Sequence, residues 1–287
     1  MTINNYYRHY LLQLQHIYSL QEASVITEWV FDKLVQVSRL DIIKAPESIM
    51  NTEKIKILDE ALGKLLQHYP VQYLLGETIF YNLKLKVNNA VLIPRPETEE
   101  LVDWIINDLK KTAPDKKYSM LEIGSGSGCI SIALQKNLPD TTITAIDISE
   151  AALAVAIENS KINNASIDFL LVDFLDESEW MKLPKVDIIV SNPPYIPVAE
   201  KNMLDKNVTH FEPHTALFVP DKSPLLFYEK IANFAKSNLK KSGIIYVETH
   251  EDFAAATAAV FSTIFKDVIL KKDLLGKNRM VKATDFR

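Results

Sequence analysis

The feature that most restricts what this chain can fold into is an alternation that begins near residue 118. Short apolar runs at 120–123, 142–146, 167–171, 186–191, 243–248 and 268–270 have strand length, and stretches of helical periodicity lie between most of them. A strand, a crossover helix and a following strand imply a mostly parallel sheet with helices on both faces. A final run at 279–284 follows without room for a crossover helix, so it is expected to insert antiparallel.

The first 75 residues read differently. Leu11, Leu12, Leu14, Ile17 and Tyr18 recur at helical spacing. Ser19 and Glu22 have the spacing of a capping box that opens a second helix. A third is expected from Thr52 to Tyr69, stopped by Pro70. Between 76 and 95 the period changes: Leu83, Leu85 and Val87 alternate with Lys84 and Lys86, and Asn88-Asn89 is a turn signal. The expected organisation is a helical bundle at 1–75, a β-hairpin linker at 76–95 and an α/β domain at 96–287. The last opens on the helix IPRPETEELVDWIINDL, with Glu97, Glu99 and Glu100 near its positive end.

Composition narrows the function classes. The 287 residues are 47% hydrophobic and 24% charged, as in globular proteins. A net charge of -5 gives no default affinity for nucleic acid or anionic membrane. The single cysteine, Cys129, excludes an internal disulfide and any site built on several thiolates. The start, MTINNYYRHYLLQLQ, has no basic segment followed by an apolar run, and the most apolar stretch, 253–265, is too short to span a bilayer. The expectation is a cytoplasmic protein, without membrane or stable nucleic-acid partners and monomeric in its simplest form.

The strongest local signal is LEIGSGSGCISIAL, in which a strand runs through Gly124, Ser125, Gly126, Ser127 and Gly128 into a helix. Glycines allow tight turning and close approach of a ligand to backbone, and the helix start offers free N–H groups. A dinucleotide fingerprint needs a third glycine at 129, where this chain has Cys129. The spacing, behind the acidic Glu122, resembles instead the first motif of Rossmann-like S-adenosylmethionine (SAM) methyltransferases. The competing reading is a glycine loop that serves packing alone. Asp147 ends the next strand about 20 residues on, where a carboxylate can accept both ribose hydroxyls; otherwise it caps the helix at Ser149-Glu150. Asp173 follows the third strand, placed either for the adenine amino group, with Phe174 packing on the ring, or as a solvated loop acid.

The strand at 186–191 ends in Asn192-Pro193-Pro194-Tyr195. Two prolines fix the backbone and remove two donors, leaving carbonyls free to accept. The carboxyl end of a central strand is where α/β sheets bind ligands. The chemistry suggested is methyl transfer to a planar nitrogen whose lone pair is delocalised. The Asn192 side-chain oxygen and the Pro193 carbonyl can accept its two N–H bonds, orienting the nitrogen and stabilising the positive charge that forms. Tyr195 can pack against the planar group. No strong base is needed, because the nitrogen becomes acidic once methylated.

QYLLGETIFYNLKLKV, LIPRPETEELV, LEIGSGSGCISIAL, VSNPPYI, HFEPHTAL and GKNRMV together, in this order, resemble the release factor glutamine methyltransferases (the PrmC/HemK group). The resemblance covers nearly the whole chain from about residue 70. NPPY alone is shared with nucleic-acid amino methyltransferases; IPRPETE discriminates more sharply. The resemblance implies a class I SAM-dependent methyltransferase fold, SAM as cofactor, and N5-methylation of the glutamine in the Gly-Gly-Gln tripeptide of bacterial class I peptide-chain release factors. It assigns cofactor contacts to Gly124 through Gly128, Asp147, Phe174 and Asn192, and substrate-amide contacts to Asn192 through Tyr195. It also makes the N-terminal helices the substrate-recognition domain. Glu122 stands where aspartate is common and Phe174 where some members have tryptophan; both keep the chemistry. Two rivals remain at this stage, an adenine or guanine amino methyltransferase and a SAM-binding module without catalysis. The first predicts a basic groove or a large insert, yet residues 76–287 hold 25 Lys/Arg against 29 Asp/Glu.

Arg95, Glu97 and Thr98 either line the pocket or fix the helix start. Glu212 either meets an arginine in a structural pair or contacts substrate backbone. His210 and His214 are four apart, but Pro213 interrupts a regular helix between them, so no metal site is expected. Cys129 has no histidine partner in view and reads as a small buried residue.

Overall fold

The computed structural model describes residues 1–112 and 116–287. They form two compact units. One comprises Met1–Glu77 with Asp205–Phe211, the other Thr78–Leu204 with Glu212–Arg287.

The first unit is helical: Ile3–Leu14, Leu20–Val35, Arg39–Lys44, Thr52–Leu65 and Val71–Leu75. The Ser19/Glu22 capping box forms, and a second one, Ser38/Asp41, opens the short helix that periodicity was too brief to announce. The helix expected to reach Tyr69 ends at Leu65, because the chain turns through His68 at φ 65 before Pro70 begins the next helix. Its core gathers Tyr6, Tyr10, Leu14, Phe31, Leu58 and Leu65, with Tyr10 set edge-on to Phe31 at 5.4 Å. Residues 205–211 join this unit through Phe211, edge-on to Tyr69 at 5.1 Å.

The larger unit is built on seven strands: β1 (Ser119–Ile123), β2 (Thr142–Asp147), β3 (Ile167–Leu171), β4 (Val186–Ser191), β5 (Leu239–Glu248), β6 (Phe265–Lys272) and β7 (Asn278–Phe286). Their order is β6-β7-β5-β4-β1-β2-β3. β1 to β5 run parallel, and β7 pairs antiparallel with both β5 and β6. This is the expected mostly parallel sheet with an antiparallel last strand. The apolar stretch at 253–265 divides into a helix, Ala254–Ser262, and the start of β6. No helix among the described residues is long and apolar enough to cross a membrane.

Side-chain parity along the strands assigns the two faces. Leu121, Ile189, Ile245 and Val247 pack with Tyr228, Phe234 and Phe261 on one side. Met120, Ile188, Val190 and Tyr246 pack on the other with Leu101, Ile105 and Ile130, from the helices Pro96–Thr112 and Cys129–Asn137. Glu122 and Glu248 share this second parity.

The hairpin pairs 77–80 with 83–86, and its turn is Tyr81-Asn82, both at positive φ (48 and 60), rather than Asn88-Asn89. Two positive-φ residues suit the right-handed twist of a tight hairpin. Asn88 does make a turn of its own, accepting from the Val91 and Ala90 amides. The buried Asn159 carboxamide donates to the Lys86 and Ser127 carbonyls and accepts from the Lys86 amide at 2.6 Å, tying the hairpin to the glycine loop.

Candidate active site

After β1 the chain builds β2 and β3 on one side, then crosses to β4 on the other. The carboxyl ends of β1 and β4 therefore flank the topological switch point, where such sheets open a crevice. Ser191 Oγ donates to the Ile123 carbonyl at 2.7 Å and holds those ends together. A cavity of about 370 Å³ lies there, of a size for a nucleoside-like ligand.

Its wall contains Gly124, Ser125, Gly126, Ser127, Asp147, Asp173 and Phe174 together with Asn192, Pro193 and Pro194. The structure thus brings ten of the expected site residues to one space. Gly128 is outside the wall, packed at the base of the loop where an added Cβ would meet Ala156 and Ile132 at 3.2 Å. Tyr195 is outside it too. Its hydroxyl is drawn to Glu248 at 3.1 Å, and its ring lies edge-on to His250 at 6.1 Å, so it supports the turn from behind. Phe174 is almost wholly buried, stacked on Trp180 at 5.6 Å. Cys129 is half-buried, packed against the core and lining the cavity as well; burial, then Glu122, pushes its thiol well above the usual range.

The glycine loop turns at positive φ at 124, 126 and 128, a conformation glycine adopts without strain. The Gly124 and Ser125 amides donate to the Ile146 carbonyl. Asp147 Oδ2 accepts the Gly126 amide at 2.8 Å and Oδ1 the Ser149 amide at 2.9 Å. Ser149, not Asp147, caps the following helix. Each Asp147 oxygen keeps a lone pair for a hydroxyl. Asp173 Oδ1 accepts the Leu175 amide in the same manner.

Glu122 is fully buried beneath the loop. Oε2 accepts the Ser131 amide at 3.1 Å and the Ser131 hydroxyl, while Oε1 has no partner among the described residues. Burial pushes its carboxyl up to about 8 against the pull of those two bonds. Ser125 Oγ is likewise buried and unpartnered. Orphaned polar atoms of this kind are rare in folded proteins and call for a polar ligand. Together with the two carboxylates, they fit an amino acid tail and a ribose. The residue set therefore suits SAM: Glu122 and the loop backbone for the methionine end, Asp147 for the ribose, Asp173 and Phe174 for the adenine.

At the other end, Asn192 Nδ2 donates to Thr98 Oγ1 at 3.0 Å, and Thr98 Oγ1 donates to Glu248 Oε2 at 2.7 Å. Glu248 is 1% exposed; burial raises its carboxyl to about 6, against the Thr98 and Tyr195 hydrogen bonds and Arg279. Residue reading passed over Glu248. The signal was present, a lone acid closing an apolar strand at the same sheet end as Asp147 and Asn192. Arg95 and Thr98 line the cavity, whereas Glu97 does not. Glu212 forms the structural pair: Oε1 meets Arg95 at 2.6 Å and Oε2 accepts the Ile93 amide at 3.1 Å, clamping the IPRPE segment. No cluster of three or more metal-ligating side chains occurs among the described residues.

Comparisons with known proteins agree with this geometry. The family model "Methyltransferase small domain" matches residues 102–219, and "PrmC N-terminal domain" matches 7–76. The release factor glutamine methyltransferase of Flavobacterium psychrophilum is 40% identical over 288 residues, covering 100% of both chains. That of Streptococcus pneumoniae is 41% identical, covering 92% of each. A 16S rRNA methyltransferase from T. thermophilus, solved with AdoMet and guanosine, superposes with a TM-score of 0.51 over 73% of this chain and 49% of its own, at 13% identity, a likeness of fold alone. With relatives this similar over the full length, the chain belongs to the release factor glutamine methyltransferase family of SAM-dependent protein methyltransferases.

Proposed function

We propose that this protein transfers the methyl group of SAM to the side-chain amide nitrogen (N5) of the glutamine in the Gly-Gly-Gln tripeptide of bacterial class I release factors. The observation that carries the reading is the Asn192-Pro193-Pro194 turn, held at the end of β4 in the same cavity as the glycine loop.

When bound, SAM supplies an electrophilic methyl on a sulfonium. The chain's residues do the rest by position. Asn192 Oδ1 and the Pro193 carbonyl accept the two N–H bonds of the glutamine amide. That directs the nitrogen lone pair at the methyl and stabilises the charge that nitrogen acquires. SAM held by the glycine loop and Asp147 would supply the methyl and take back the electron pair of its S–C bond, so that Asn192 and Pro193 need only orient the nitrogen. The methylated amide then releases a proton to solvent. The helical unit is assigned to gripping the release factor, and the family membership of residues 7–76 supports that role.

The test is methyl transfer from radiolabelled SAM to a purified class I release factor and to its Gln→Ala variant in the tripeptide. Label on the unmodified protein alone is expected. No label on either, with SAM still bound, would overturn the reading and direct the next assay to ribosomal RNA and DNA.

A further inference from the structure

We propose that Glu248, acting through Thr98, sets which way the Asn192 carboxamide faces, and is thereby a positioning residue for the transfer. The proposal rests on the acceptor role given to Asn192 above.

The argument is a count of hydrogens. A threonine hydroxyl has one to give. Glu248 Oε2 sits 2.7 Å from Thr98 Oγ1, and an ionised carboxylate can only accept, so the Thr98 hydrogen is spent there. Thr98 Oγ1 is left with lone pairs and must accept from its other neighbour. Asn192 therefore presents Nδ2, at 3.0 Å. Its Oδ1 takes no hydrogen bond from the described residues and is the atom left for a substrate N–H. Turned by 180°, the carboxamide would set N–H against N–H at the substrate and an oxygen lone pair against Thr98. The relay excludes that state on both sides.

Its anchoring is unusually complete. Glu248 and Thr98 are 1% and 2% exposed. Glu248 Oε1 accepts the Tyr195 hydroxyl, so one carboxylate braces both ends of the Asn192–Tyr195 turn. The Tyr228 hydroxyl donates to the Glu248 carbonyl at 3.0 Å and fixes the strand end beneath it. A buried carboxylate is a poor source of stability, since well-packed apolar side chains often do as well. What the carboxylate supplies here is one orientation of an otherwise two-fold ambiguous amide.

Thr98→Val and Thr98→Ser in the full-length protein test this, with kcat, the SAM dissociation constant and Tm recorded for each. Valine keeps the shape and deletes the hydroxyl. It is expected to lower kcat by about 10–100-fold, as misoriented reactive groups do, with SAM affinity within about twofold. Serine is expected to recover most of the loss. A folded Thr98→Val with wild-type kcat, a serine variant as poor as valine, or SAM affinity falling in step with kcat would each overturn the relay. A second measurement needs no acceptor protein. In the 15N-labelled wild type, the Asn192 side-chain amide should exchange with solvent about tenfold more slowly than exposed asparagines, and Thr98→Val should abolish that protection. Unprotected exchange in the wild type overturns the proposal. Should no release factor be methylated, the exchange data still decide the relay, and only the substrate reading fails.

Discussion

One buried glutamate stands at each end of the cavity, Glu122 in its wall and Glu248 behind Asn192, and they are finished differently. Glu122, under the glycine loop, has both of its bonds on one oxygen and leaves the other bare. Glu248, behind Asn192, has a hydroxyl on each oxygen and Arg279 close enough to lower its carboxyl. Both are fully buried, yet one carboxyl is raised to about 8 and the other only to about 6. Each accepts two hydrogen bonds and burial is the largest cause of both shifts; Asp147 adds to the rise at Glu122, whereas at Glu248 the rise from Glu97 is opposed by Arg279. The comparison teaches what each end is for. The cofactor end keeps polar atoms unsatisfied, so that a ligand can complete them. The acceptor end closes its network within the protein, so that one orientation is enforced before a substrate arrives.

The sharpest way to break the comparison is at Asn192. Asn192→Ala should lower methyl transfer by about a thousandfold or more, since it deletes an aimed acceptor. SAM affinity measured by calorimetry should stay within a few fold. Joint loss of both would merge the two ends into one. Next is Glu122→Gln, read through pH. The folded carboxyl lies near 8, well above the ordinary 4.5, so the folded state holds its proton longer than the unfolded one. The stability this carboxyl contributes is fully present below about 4.5 and is lost as pH rises towards 8, by something on the order of 3–5 kcal/mol. Thermal melts across that window should show this slope in the wild type and a flatter line for Gln. Equal slopes would mean Glu122 is ionised throughout.

Asp147→Ala should weaken SAM binding by about 10–100-fold, through loss of a ribose acceptor and of the Gly126 tie. Calorimetry decides it, and an unchanged affinity would reduce Asp147 to a loop brace. The smallest effect is expected at Gly128→Ala. Gly128 has φ +78, and a Cβ there would stand 3.2 Å from Ala156 and Ile132. A loss of about 1–3 kcal/mol by denaturant melts is expected, without a change at the acceptor end.

Much of this was legible residue by residue. The order of apolar runs predicted the parallel sheet and its antiparallel last strand, because period and connection length restrict topology severely. The glycine loop, Asp147 and the Asn192 turn were legible as residues of one cavity because glycines, a terminal carboxylate and paired prolines mark strand ends in the sequence. The hairpin turn at Tyr81-Asn82 was not, since neither a tyrosine nor a lone asparagine advertises positive φ as strongly as glycine does. Nor was the end of the helix Thr52–Leu65, where apolar Leu66 prolongs the pattern past the last helical residue.

The sequence alone determined the fold class, the glycine loop and the Asn192-Pro193-Pro194-Tyr195 turn at the end of β4, since each is a matter of backbone chemistry and spacing. The tertiary structure decided the roles of Thr98, Glu212 and Glu248. Thr98 meets Glu248 across 150 positions and Asn192 across 94, and Glu212 reaches back 117 to Arg95. At such separations no local propensity acts. Only the register of β5 beside β4, and the helix Pro96–Thr112 packed over that face, carry Asn192, Glu248 and Thr98 within hydrogen-bonding distance.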